Sequence, residues 1–166
     1  MRFRSLTIDE LKELETEFNQ FLIINQVYNE EWIEMNQKDL DKANALVDLF
    51  SDQVLEKVYS KIDFLEKRDK HAISVFAVTK TDIETITIQS TNQSIELLTN
   101  AQIETALNQQ INELEIYFGT KKIAKDKCDE VFDLIKEDCS ISTYDVWHSF
   151  STFLDQIKKN NLKSIV

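Results

Sequence analysis

The sequence predicts an α+β fold, and three observations carry that prediction. Apolar residues recur every three or four positions over residues 7–66, alternate over 71–119, and return to the helical period over 121–160. The chain holds one glycine, Gly119, and no proline in 166 residues, so helices meet few breakers and tight glycine turns are scarce. No stretch has linker composition, and the length suits one domain spanning 1–166.

Residues 7 to 24 read as an amphipathic helix. Thr7 followed by Glu10 is a capping-box pattern, and Leu11, Leu14, Phe18, Phe21 and Leu22 fall on one face. Asn29 is placed to cap a short helix whose apolar face is Trp32, Ile33 and Met35. A long helix is expected from Lys38 to Glu66, with Leu40, Ala43, Val47, Phe50, Val54, Val58, Ile62 and Leu65 as its stripe and Ser51-Asp52 as a break within it.

The sheet is expected between residues 71 and 119. Residues 72–79 and 83–89 form a β-hairpin turning at Lys80-Thr81-Asp82 through a loop of three to five residues, because a two-residue type I′ turn wants glycine. Ile95–Leu98 reads as a third strand. Thr99 with Gln102 opens a crossover helix through Ile111, and Leu114–Phe118 makes a fourth strand, parallel to the third if the two are neighbours. A helix from Ala124 to Glu137 and another opened by Ser142 with Asp145 complete the chain. The last carries Val146, Trp147, Phe150, Phe153, Leu154 and Ile157, a broad aromatic face expected to dock on the chain's own sheet.

Composition excludes several function classes. A single glycine cannot write a phosphate-cradling loop, a dinucleotide fingerprint or a nucleophile elbow. The net charge is −11, with 16 acidic against 10 basic side chains in residues 1–70, so a nucleic-acid backbone would be repelled. Lys121, Lys122, Lys125 and Lys127 are interrupted by Asp126 and followed by Asp129 and Glu130, which reads as a solvated helix face. The longest purely apolar run is Phe21 to Ile24, too short for a membrane span, and Met1 to Glu10 lacks the apolar core of a signal peptide. Cys128 and Cys139 are expected as reduced thiols in the cytoplasm.

Candidate chemistry is sparse. The two histidines, His71 and His148, have no metal-ligand spacing around them, and neither a metal nor a cofactor is expected. Cys128 lies on an apolar helix stripe and reads as an inert thiol. No catalytic residue is assigned. The residues singled out for interaction are Arg4, Trp32, Ser51 and Asp52. Trp32 stands among Glu30, Glu31 and Glu34, Ser51-Asp52 interrupts an apolar stripe, and Met1-Arg2-Phe3-Arg4 reads as an arm pinned to the acidic helices after it.

Arg4-Ser5-Leu6-Thr7, Glu17-Phe18 with Phe21-Leu22, Glu31-Trp32, Phe50-Ser51-Asp52 with Val54, and Phe64-Leu65-Glu66 resemble a family of small uncharacterised cytosolic proteins of flavobacteria and their relatives. The resemblance implies a bacterial source and a cytoplasmic setting, and it brings no catalytic or binding residue with it. The function expected first is a non-enzymatic protein–protein interaction module whose partner has a basic surface, with self-association left open. A small-ligand sensor or carboxylate-based enzyme, using a cleft between sheet and helices, is the alternative, and a nucleic-acid mimic is the weaker one.

Overall fold

The computed structural model describes residues 1–163, with side chains through Ile157. The chain forms two compact units that divide after Tyr59. The first holds α1 (Ile8–Glu13), α2 (Glu15–Ile24), α3 (Asn29–Lys38) and α4 (Leu40–Tyr59). The second holds β1 (Phe64–Asp69), β2 (Ala72–Val78), β3 (Asp82–Ser90), α5 (Asn100–Gln109), β4 (Leu114–Lys122), α6 (Lys127–Lys136), β5 (Ser140–Ile141) and α7 (Tyr144–Lys163). The α+β class stands.

In the first unit Thr7 caps α1, and Glu10 closes the box by accepting from the Thr7 N–H at 2.8 Å. The helix expected over 7–24 is two helices, because Leu14 leaves helical geometry at φ −104°, ψ 22°. Tyr28, not Asn29, is the residue before α3, and Glu31 accepts from its N–H at 3.0 Å. The core is aromatic: Phe18 meets Trp32 edge-on at 5.3 Å and Phe50 at 5.0 Å, and Phe21 lies 5.3 Å from Phe50.

The expected helix from Lys38 to Glu66 stops at Tyr59, and Ser51-Asp52 does not break it. Leu65 lies three residues after Ile62 and so extends the helical stripe on paper. It also starts an alternating segment that pairs with β2 from Phe64↔Ala77 to Asp69↔Ala72, and the ladder prevails. This strand lies outside the 71–119 bounds expected for the sheet. Its hairpin turn, Lys70-His71, escapes the sequence signature because neither residue is Gly or Asn and neither has positive φ.

The sheet order is β4-β3-β2-β1-β5, antiparallel at every pairing. The β2–β3 hairpin turns through Thr79-Lys80-Thr81, where the Thr79 hydroxyl accepts from the Asp82 N–H at 2.9 Å and no residue takes the positive φ that calls for glycine. Two further bounds need correction. β4 runs on to Lys122, and β5 pairs Leu65↔Ile141 and Glu66↔Ser140.

The third strand expected at Ile95–Leu98 is a loop. Ile95 and Leu97 are buried as their alternation demands, yet the segment joins no ladder; Leu97 donates to the Lys70 carbonyl at 2.8 Å. With no strand there, the parallel pairing expected between Ile95–Leu98 and Leu114–Phe118 does not arise, and α5 links β3 to β4, which pair antiparallel.

Ile73, Val75, Ile86 and Ile88 project to one sheet face and join Ile95, Leu97, Ile103, Ala106 and Phe150 in one core, with Val146, Trp147 and Leu154 packed against it. The aromatic face of α7 thus docks on the sheet. On the opposite face, Lys121 of β4 reaches Glu130 of α6 at 2.7 Å.

α6 begins at Lys127, after Asp126, whose carboxylate accepts from the Cys128 N–H at 2.9 Å, three residues later than the Ala124 start expected. Thr143 rather than Ser142 precedes α7, and Ser142 instead donates its N–H to the Phe64 carbonyl at 3.0 Å. Gln26 (φ 61°) and Asp138 (φ 65°) hold the left-handed positions that end α2 and α6. Each end shows the paired hydrogen bonds of a Schellman motif, Val27 to Leu22 and Gln26 to Ile23, then Cys139 to Leu134 and Asp138 to Ile135.

Candidate functional site

The arm expected at the N-terminus is pinned along α4. Asp52 accepts from the Arg2 N–H at 2.6 Å and the Phe3 N–H at 2.9 Å, Ser51 accepts from the Leu6 N–H at 3.0 Å, and Ser5 donates to Asp48. Arg2 reaches Glu56 at 2.7 Å. Positions 48, 51, 52 and 56 of α4 are spaced three and four apart, so they share one face and serve successive residues of an extended arm. Phe3 and Leu6 are buried, and Phe3 meets Tyr59 edge-on at 5.1 Å. Arg4 grips Glu10 with both guanidinium nitrogens at 2.7 and 2.6 Å, and this bond, ahead of the Thr7 N–H, holds the Glu10 carboxyl down at about 2. Burial pushes the Tyr59 hydroxyl up.

Of the four residues singled out in the sequence, Arg4, Ser51 and Asp52 come together around this arm, and all three carry hydrogen bonds within the unit. Trp32 stands apart from them, half-buried against Phe18. The sequence reading missed its surroundings. Ile23 and Ile24 lie off the α2 stripe set by Phe18, Phe21 and Leu22, because 100° per residue turns them outward. Ile23 is 56% exposed, Ile24 80%, Tyr28 60% and Ile33 57%.

Two adjoining concavities share Glu31. One, about 520 Å³, is lined by Ile23, Tyr28, Asn29 and Glu30. The other, about 790 Å³, is lined by Val27, Glu34, Met35, Lys38, Leu46 and Leu49 among others. Lys38 pairs with Glu34 at 2.8 Å. The result is an apolar surface bordered by Glu30, Glu31, Glu34 and Asp39, with Lys38 and Lys42 among them. Its signal was present in the sequence as the four-residue run Phe21 to Ile24, which no helix can bury on one face.

The second unit has a cleft of about 800 Å³ where the ends of β1 and β2 meet the starts of α6 and α7. Phe64, Ala77, Glu84, Lys125, Tyr144 and Trp147 line it, with Cys128 in its wall. Lys127 spans to Asp63 and the Ser60 carbonyl. His148 stacks on Tyr144 at 5.4 Å, and His71 bonds the Ile95 carbonyl at 2.9 Å through Nδ1. Cys128 and Cys139 are buried thiols, and burial pushes that of Cys139 up. Among the described residues no group of three His, Cys, Asp or Glu gathers as metal ligands, and no helix is long and apolar enough to cross a membrane.

The sequence pattern of a family of unknown function, DUF6495, matches residues 1–155. The chain belongs to the DUF6495 family. No curated protein and no solved structure matches it. The DUF6495 match takes in the pinned arm, the acidic apolar surface, the whole sheet and most of α7.

Proposed function

We propose that the protein is a non-enzymatic interaction module that binds another protein through the surface formed by α2, α3 and α4. One observation carries the reading: Ile23, Ile24, Tyr28 and Ile33 stand exposed beside Glu30, Glu31 and Glu34. Exposed apolar side chains rimmed by charge mark interaction sites, and the charge fixes the partner's chemistry as a basic rim around an apolar segment. The first 59 residues carry 13 acidic and 6 basic side chains, so most of the excess negative charge lies in this unit. Trp32 supports α3 from beneath, and Arg4, Ser51 and Asp52 hold the arm that braces α4. The setting we infer is the cytoplasm of a bacterium of the flavobacterial kind, in keeping with the resemblance read in the sequence.

The cleft of the second unit supports the small-ligand or enzyme reading, which ranks second. A nucleic-acid mimic ranks third, because Arg2–Glu56, Arg4–Glu10, Lys12–Asp9 and Lys38–Glu34 break up the run of carboxylates.

The test is capture from cytosol at about 50 and 200 mM salt, with Tyr28→Ser, the charge reversals Glu30→Lys and Glu31→Lys, and Glu104→Lys as a distant control. One protein should be recovered by the wild type and the control, more weakly at the higher salt, and lost with the other three. Recovery that survives those three overturns the surface, and no recovery at either salt overturns the module reading in favour of the cleft.

A further inference from the structure

On β3, Ile88 and Ile86 point into the core, and the next side chain on that face is Glu84. On β2 the matching row runs Ile73, Val75 and then Ala77, which stands opposite both Glu84 and Phe64 of β1. A carboxylate and a methyl group thus take the places of two large apolar side chains at this end of the sheet. Beside them opens the cleft of about 800 Å³, a size ordinary for small-molecule sites.

Glu84 is half-buried, and among the described residues its carboxylate accepts no hydrogen bond and pairs with no cation. A charge drawn out of water without a partner is costly, so this position calls for a cation from outside the chain. The lysines around the cleft differ in what they already hold. Lys127 is taken by Asp63 and Lys125 by Asp133, whereas Lys80, exposed on the hairpin turn, has no ion pair among the described residues. Tyr144 and Trp147, three apart on α7, share a face and line the cleft with Phe64, whose ring lies 5.8 Å from that of Tyr144. The Trp147 indole N–H has no acceptor among the described residues.

One unpaired acid and two unpaired donors call for a ligand that carries both charges. We propose that this cleft binds a zwitterion the size of a dipeptide, with an aromatic group next to its amine. The amine donates to Glu84, the aromatic group lies among Phe64, Tyr144 and Trp147, and the carboxylate accepts from Lys80. Spacing sets the size. Lys80 follows Ala77 by three residues, up to about 10 Å of chain away from the row that holds Glu84. The two charges of a free amino acid sit too close together to meet both groups, while two residues of extended peptide span about 7 Å and the Lys80 side chain covers the rest. None of these residues belongs to the surface on α2, α3 and α4, so the two sites stand or fall separately.

Titration calorimetry of the full chain with the dipeptide Phe-Ala tests the site, and binding is expected with a Kd below about 1 mM. N-acetyl-Phe-Ala, Phe-Ala amide and free phenylalanine should each bind at least about tenfold more weakly, because each lacks one charge or the span between them. Glu84→Gln should weaken Phe-Ala at least about tenfold and leave N-acetyl-Phe-Ala as in the wild type, a selective loss that unfolding would not produce. Lys80→Ala, at an exposed turn, should weaken Phe-Ala in the same way and leave Phe-Ala amide unchanged, which preserves the test if Glu84→Gln fails to fold. No binding up to about 10 mM Phe-Ala, equal binding of Phe-Ala and its acetylated or amidated form, or variants that bind Phe-Ala as the wild type does overturns the proposal.

Discussion

Ser51 shows how one hydroxyl in the wrong place on paper holds a structure together. It is fully buried in α4, donates to the Val47 carbonyl at 2.7 Å, and so completes its own helix turn while its lone pair receives the Leu6 N–H. Ser51→Ala strands that N–H in the core and should destabilise by about 1–3 kcal/mol. Asp52→Ala frees the Arg2 and Phe3 N–H groups, which lie nearer the surface where water replaces the carboxylate, and should cost about 1 kcal/mol. Urea unfolding of the two variants checks the order; equal costs would mean that burial does not separate them. From sequence these residues looked like a helix break, because Ser and Asp compete for backbone hydrogen bonds. The arm N–H groups that they receive lie 45 or more positions away, and no local pattern encodes that separation.

Elements were legible where a local signal was complete. Thr7 with Glu10 and Thr99 with Gln102 cap their helices as the motif requires, and the β2–β3 hairpin follows from alternation on both sides of a polar turn. β1 was hidden because its residues fit two periods at once, and Ile95–Leu98 was mistaken for a strand because burial of alternate residues does not by itself make a ladder.

The cap of α1 carries a pH signature. The Glu10 carboxyl sits at about 2 in the folded chain against an ordinary 4.5, so its contribution is fully present above about pH 4.5 and is lost as pH falls toward 2. The stability gap between wild type and Glu10→Gln should therefore be constant near neutral pH and close between pH 4.5 and 2. A gap unchanged across that window would show that the Arg4–Glu10 pair adds nothing through its charge.

At the scale of the whole molecule, the α+β class follows from the change of period alone, whereas the candidate surface does not. The sequence pointed to Trp32, since a tryptophan among glutamates resembles an interface anchor. The fold turns that ring toward Phe18 and leaves its neighbours Tyr28 and Ile33 at the surface, a consequence of where α3 lies on α2 and α4 that composition cannot register. Charge was legible from the start, because the excess acid of residues 1–59 needs no fold to be counted.

The claim that this acidic, apolar face receives another protein is met most directly by a photoreactive phenylalanine derivative placed at Tyr28 in living cells, with the same substitution at Leu107 in the second unit as the comparison. The account predicts one discrete adduct with a different protein from position 28, abolished by Glu30→Lys together with Glu31→Lys, and none from position 107. Absence of an adduct at 28, or the same adducts from both positions, would contradict it.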